Sequence, residues 1–156
     1  MIDFALTADA VAPQLLGCTL THAGVSIRLT EVEAYLGAED SAAHTFKGKT
    51  PRNAAMFGPP GRFYVYISYG IHRNVNIVCA PEGTGQGCLL RGGEIIEGAD
   101  TAFARRGTSD FHNLARGPGN LGKALGFTLE DNHQPIQIVE RTTEPEWVCG
   151  PRIGIS

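Results

Sequence analysis

Between Glu31 and Tyr69 the chain gathers the residue types that water chemistry beside a flat ring would need. Glu31-Val32-Glu33-Ala34-Tyr35 supplies carboxylates and a first aromatic ring. Ala43-His44 adds an imidazole, Thr50-Pro51-Arg52-Asn53 a cation, and Tyr64-Val65-Tyr66-Ile67-Ser68-Tyr69-Gly70 further phenols. Charge is segregated along the same stretch. No acidic residue occurs between Asp40 and Glu82, whereas Lys47, Lys49, Arg52, Arg62 and Arg73 are all basic. A carboxylate can activate a water, rings can stack on a planar group, and clustered cations attract a polyanion.

These groups must be held by a small fold. At 156 residues, 42% hydrophobic and 19% charged, the chain has the composition of one globular domain with its own core. The net charge of −3 counts against a purely electrostatic nucleic-acid binder. Cys18, Cys79, Cys88 and Cys149 are widely spaced with no C-x-x-C pair, so buried free thiols are expected rather than a zinc or redox site. The five histidines are scattered, and neither a metal nor a cofactor is expected; no P-loop or dinucleotide fingerprint is present. No apolar run is long enough to predict a membrane span and no basic-then-apolar leader opens the sequence, so a reducing cytoplasm is expected.

Thr7 to Leu16 reads as a short helix, capped by Thr7 and ended by Gly17. Cys18 to His22 and Val25 to Val32 read as a hairpin around Ala23-Gly24. In the second strand Val25, Ile27 and Leu29 share a face. If that alternation persists, Glu31 and Glu33 continue it, where a carboxylate is costly to bury. The opposing reading ends or bulges the strand before Glu31 and leaves both glutamates in water. Thr50-Pro51 looks like a helix start. Phe63 to Tyr69, Val75 to Cys79 and Cys88 to Ile96 read as strands, with Gly92-Gly93 marking a bulge. Glu97 to Arg106 and Pro118 to Leu125 read as helices, and Gln137 to Val139 as a last strand. Strands and helices do not alternate regularly, which predicts an α+β fold around an antiparallel sheet.

From Glu31 to Arg91 four motifs follow in order: E-x-E-A-Y-L-G-x-E-D-x-A-A-H, T-P-R-N-x-x-M-F, P-G-x-x-Y-V-Y-I-x-Y-G and L-L-R. Together they resemble the alkyladenine (3-methyladenine) DNA glycosylase family, the monofunctional purine glycosylases of base-excision repair. Weaker similarity extends from Leu15-Leu16-Gly17 to Gly117-Pro118-Gly119. The resemblance implies a strongly curved antiparallel sheet flanked by helices. It also implies an enzyme that flips a damaged purine out of duplex DNA and cleaves its glycosidic bond with water, without a strand-nicking step.

Roles follow from the resemblance residue by residue. Glu33 matches the glutamate that activates the water, and Arg91 the residue that helps to hold it. Tyr35, His44 and Tyr66 match the base pocket, and Asn76 the asparagine on its floor, where a side chain can repel the 2-amino group of normal guanine. Tyr69 matches the wedge that fills the vacated stack. Tyr64 reads as plain strand packing. Lys47, Lys49, Arg52 and Arg73 are candidate phosphate contacts. The expected partner is double-stranded DNA containing damaged purines, bound by a monomer. Gly92-Gly93-Glu94-Ile95 departs from the family pattern. After Gly150 to Ser156 the family normally continues with a further segment, so the single domain expected over residues 1–156 lacks that segment. Two other readings stay open: a damaged-DNA-binding module that no longer cuts, and a small-nucleoside hydrolase using Glu33 with His44.

Overall fold

In sequence order the strands are Thr19–His22 (β1), Val25–Tyr35 (β2), Phe63–Ser68 (β3), His72–Cys79 (β4), Gln86–Glu97 (β5) and Ile138–Val139 (β6), interleaved with helices Ala8–Leu15 (α1), Ala99–Arg106 (α2) and Pro118–Ala124 (α3). The structure is a computed structural model, which describes residues 1–152. All strand pairs are antiparallel, in the spatial order β3-β4-β5-β2-β1-β6. The fold is therefore α+β, a single small domain built on one sheet. Residues 153–156 of the expected 1–156 domain lie outside the described residues.

One face of the sheet is apolar and carries the helices. Ile27 and Leu29 of β2, Phe63 and Val65 of β3, Val75 and Ile77 of β4, and Cys88 and Leu90 of β5 are buried there with Val11 and Leu15 of α1 and Leu121 of α3. Strand alternation dictates that the intervening residues point to the opposite face. Helix α3 lies close enough to β4 that a Cβ at Gly122 would sit 1.8 Å from the Arg73 carbonyl oxygen. Only glycine permits that approach, and it brings Pro118 to the edge of the site.

A bulge in the middle of β2 decides which residues reach that other face. Leu29 pairs with Gly93, Glu31 with Gly92 and Val32 with Leu90, so the register shifts on both sides of Glu31. Before the shift Ile27 and Leu29 point into the core; after it Val32 and Ala34 pack against the same core. The two shifts cancel, since β2 advances from Leu29 to Val32 as β5 advances from Gly93 to Leu90, and the irregular stretch between them inverts the faces that the side chains take. Glu33 and Tyr35 therefore leave the apolar face that unbroken alternation would have assigned to Glu33. The opposing strand makes room: a Cβ at Gly93 would lie 2.5 Å from the Arg28 carbonyl oxygen and 2.6 Å from an Ile27 side-chain carbon. Neither sequence reading of Glu31 and Glu33 holds for both residues. Glu31 is exposed at the bulge, whereas Glu33 is only 7% exposed.

The helix expected from Thr50-Pro51 does not form. Thr50 to Asn53 is a turn in which the Asn53 carboxamide oxygen accepts from the Thr50 amide at 2.7 Å and the Thr50 hydroxyl accepts from the Asn53 amide at 3.3 Å. A short 3₁₀ segment follows at Ala54–Phe57. The side chains of Thr and Asn compete here for the backbone groups that a helix would pair. Cys18, Cys79 and Cys88 are buried free thiols and Cys149 is exposed. Among the described residues no helix is long and apolar enough to cross a membrane.

Candidate active site

The sheet register lines up side chains from four strands. Tyr64 of β3 lies opposite Asn76 of β4, Asn76 opposite Leu89 of β5, and Leu89 opposite Glu33 of β2. All four line a cavity of about 280 Å³ on the face away from the helices. Two residues further along β3 and β5, Tyr66 and Arg91 line it too, and Tyr66 lies opposite Asn74. Tyr35, His44 and Tyr69 are among its other lining residues. Seven of the residues singled out in the sequence thus meet in one cleft: Glu33, Tyr35, His44, Tyr66, Tyr69, Asn76 and Arg91.

At the base of the cleft Glu33 sits between a phenol and a guanidinium. The Tyr35 hydroxyl donates to Glu33 Oε1 at 2.9 Å. One Arg91 terminal nitrogen lies 3.9 Å from the same oxygen, and Arg91 Nε lies 3.7 Å from Glu31 Oε2. Arg91 therefore spans the two glutamates that the bulge sends to different environments. Its buried Nε makes no hydrogen bond among the described residues, a donor of the kind that ordered water or ligand normally satisfies.

The rings stand close to one another. His44 packs on Tyr66 with centroids 4.1 Å apart, and Tyr64 and Tyr66 are 5.6 Å apart. The Tyr64 hydroxyl lies 3.3 Å from His44 Nδ1. Burial pushes Tyr64 up to about 12 and also raises Tyr66; burial, then the Glu33 charge, raises Tyr35. The phenols consequently stay protonated and available as donors at neutral pH. His44 keeps solvent access at the mouth, yet partial burial of its ring, followed by the charge of Arg52, lowers it below the ordinary histidine value. At neutral pH it is an uncharged ring suited to stacking.

The loop bearing His44 is fastened at several points. The Asn53 amide group donates to the His44 and Gly48 carbonyls, each at 3.1 Å, and the Thr45 hydroxyl donates to the Gly85 carbonyl. This is what the T-P-R-N segment does locally: it ties the A-A-H segment against the sheet. Tyr69 lies in the turn after β3 rather than within the strand. It is 92% exposed and holds a positive φ of 52°, a conformation that strains a bulky residue by about 1–3 kcal/mol and clusters at functional sites.

Lys47, Lys49, Arg52 and Arg73 do not line the cleft; all four are exposed. Arg52 donates to the Ile67 carbonyl at 2.8 Å, which fixes it beside β3. Sequence reasoning missed Tyr64 and Asn74 as lining residues. The Asn74 amide donates to the Tyr66 hydroxyl at 3.2 Å. Period-two spacing from Asn76 was the signal that could have found Asn74, and the same spacing from Tyr66 applies to Tyr64. No group of three or more metal-ligating side chains occurs among the described residues.

Known proteins are similar to this chain over nearly its whole length. A family described as methylpurine-DNA glycosylase matches residues 2–156. A protein of Corynebacterium efficiens named "Putative 3-methyladenine DNA glycosylase" is 67% identical over 99% of this chain and 84% of its own length. Proteins of the same name from Corynebacterium glutamicum and Cutibacterium acnes are 64% and 50% identical, over 99% and 100% of this chain and 85% and 88% of their own lengths. The chain belongs to the methylpurine-DNA glycosylase family, enzymes of DNA repair that hydrolyse N-glycosyl bonds.

Proposed function

We propose that this glycosylase removes alkylated and deaminated purines, 3-methyladenine and hypoxanthine among them, from duplex DNA. It flips the nucleotide into the cleft and leaves an abasic site. The observation that carries the reading is the buried Glu33 carboxylate in an aromatic cleft, beside a guanidinium whose buried Nε makes no hydrogen bond among the described residues.

Glu33 takes a proton from a water as that water attacks C1′, and its charge stabilises the cationic sugar developing there. Arg91 orients the water from the other side. Tyr35, His44 and Tyr66 stack on the extruded base, each such contact contributing about 1–3 kcal/mol in comparable systems. Asn76 meets the purine edge on the floor and rejects guanine by its 2-amino group. Tyr69, already projecting on the turn after β3, enters the stack where the base has left. Lys47, Lys49, Arg52 and Arg73 lie outside the cleft, where they contact phosphates. Affinity then falls with salt, with a slope of about −0.9 for each contact made. The enzyme works as a monomer.

The test is base release from a duplex oligonucleotide carrying one hypoxanthine, followed by alkaline cleavage at the abasic site, with a 3-methyladenine duplex in parallel. Release with turnover from either duplex supports the reading. Lesion-dependent binding without release from both contradicts it and favours a non-cutting damage-binding module. Faster hydrolysis of free nucleosides than of duplex would favour a nucleoside hydrolase.

A further inference from the structure

The C-terminal end of the described residues returns to the outside of the active site. Arg152 forms a two-pronged ion pair with Asp40, one arm at 2.9 Å from Oδ1 and the other on Oδ2, and it also donates to the Ala34 carbonyl at 3.1 Å. Its guanidinium carbon lies 4.7 Å from the centroid of the Tyr35 ring. Arg152 is not among the residues lining the cleft, so it supports this ring without entering the pocket.

Asp40 is only 8% exposed and does more than pair with Arg152. Its Oδ2 accepts from the Leu36 amide at 3.0 Å and its Oδ1 from the Ala42 amide at 3.1 Å. It therefore shapes the turn that leads from Tyr35 to His44. Tyr35 in turn donates to Glu33. A fork-shaped, planar cation suits this position because it can meet both carboxylate oxygens, a carbonyl and a ring face together; a lysine can supply the charge but not that geometry.

We propose that Arg152 is a positioning residue for base excision, acting through Tyr35 on Glu33 and through Asp40 on the turn that carries His44. This rests on the glycosylase reading above. The pair is partly buried and, among the described residues, its partners are backbone groups or residues of the site, so its loss removes the cation beside the Tyr35 ring and leaves Asp40 short of its partner. A misplacement of even about 1 Å near reacting groups can slow a reaction on the order of 100-fold.

The test is single-turnover release of hypoxanthine from a duplex by the parent, Arg152→Gln, Arg152→Lys, Asp40→Asn, Tyr35→Leu and the double variant Arg152→Gln/Tyr35→Leu. Affinity for a duplex with a reduced abasic site, which places no base in the pocket, and the thermal midpoint are measured alongside. Arg152→Gln and Asp40→Asn are expected to slow release by roughly 10- to 100-fold with affinity for the abasic duplex within about twofold, and Arg152→Lys to recover part of the rate. In the Tyr35→Leu background Arg152→Gln should then cost much less than in the parent. Parental rates in both single variants, or equal losses in release and abasic-duplex affinity, would each overturn the inference, and the full loss repeated in the Tyr35→Leu background would overturn its route through Tyr35. The inference fails alone when the parent releases base and these variants behave so; a parent that releases none overturns the glycosylase reading and takes this inference with it.

Discussion

The two faces of this sheet are written by alternate residues of the same strands, yet they answer to different demands. On one face Ile27, Leu29, Val65, Val75, Ile77 and Leu90 are buried against the helices, and any apolar side chain of matching shape would serve. On the other, Tyr64, Asn76 and Glu33 occupy register positions that an equally sized apolar residue could not fill without losing a donor, an acceptor or a charge. The core face stabilises by burying apolar surface; the cleft face carries polar groups that gain less from packing. What separates them in β2 is one bulge. The irregular stretch at Glu31, opposite Gly92 and flanked by two register shifts, lets Val32 and Ala34 rejoin the core while Glu33 and Tyr35 enter the cleft.

Removing the bulge should disturb both faces together. Gly93→Val forces a side chain into the Arg28 carbonyl and Ile27. It is expected to cost about 1–3 kcal/mol in urea denaturation and to slow excision by about 100-fold in the molecules that stay folded. Loss of stability with parental excision would mean that the bulge does not place Glu33. Leu90→Ala, on the fully buried core side, should cost about 2–5 kcal/mol while leaving the excision rate of the folded protein nearly unchanged. A steep fall in that rate would show that the two faces are not separable.

Tyr69→Gly probes the cleft face alone. It should slow excision from duplex by roughly tenfold, since unstacking costs a few kcal/mol per step, but act much less on single-stranded substrate. Stability should hold or rise, because glycine relieves the positive φ at this turn. Equal losses on both substrates would deny Tyr69 a role in the duplex. The smallest effect concerns His44. Burial lowers it in the folded protein, so below the ordinary value of about 6.5 the unfolded protein binds more protons and stability falls as pH falls. Between pH 7.5 and 5.5 the parent should therefore lose more of its urea midpoint than His44→Phe does. An identical loss in the two would remove His44 as the source.

Most of the secondary structure was legible because it is local. The alternation Val25, Ile27, Leu29, the aromatic run from Phe63, and Pro118 at a helix start each declare themselves within a few residues. The parity of Glu33 was not legible, even though Gly92-Gly93 suggested a bulge, because the register that sets Gly93 opposite Leu29 and Gly92 opposite Glu31 is made by a strand some sixty residues away. Thr50-Pro51 carried a helix signal, and Asn53 overrode it by bonding to the Thr50 amide and to the loop carbonyls beside it. The site residues matched through the resemblance do meet in space, with the four basic residues left outside. Tyr64 passed for packing because it is buried, and only the cross-strand pair with Asn76 reveals that it is also a wall of the cleft. Arg152 had no local signal at all, since its partners Asp40 and Tyr35 lie far away in sequence.

The most direct test of the central claim is single-turnover release of hypoxanthine from a duplex by Glu33→Gln beside the parent, with unfolding midpoints measured on both. Glutamine keeps the shape and the Tyr35 contact but cannot take a proton. The account predicts release slowed by about 10²- to 10⁴-fold in a protein that remains folded. Near-parental release by Glu33→Gln would contradict it and place the base that activates water elsewhere in the cleft.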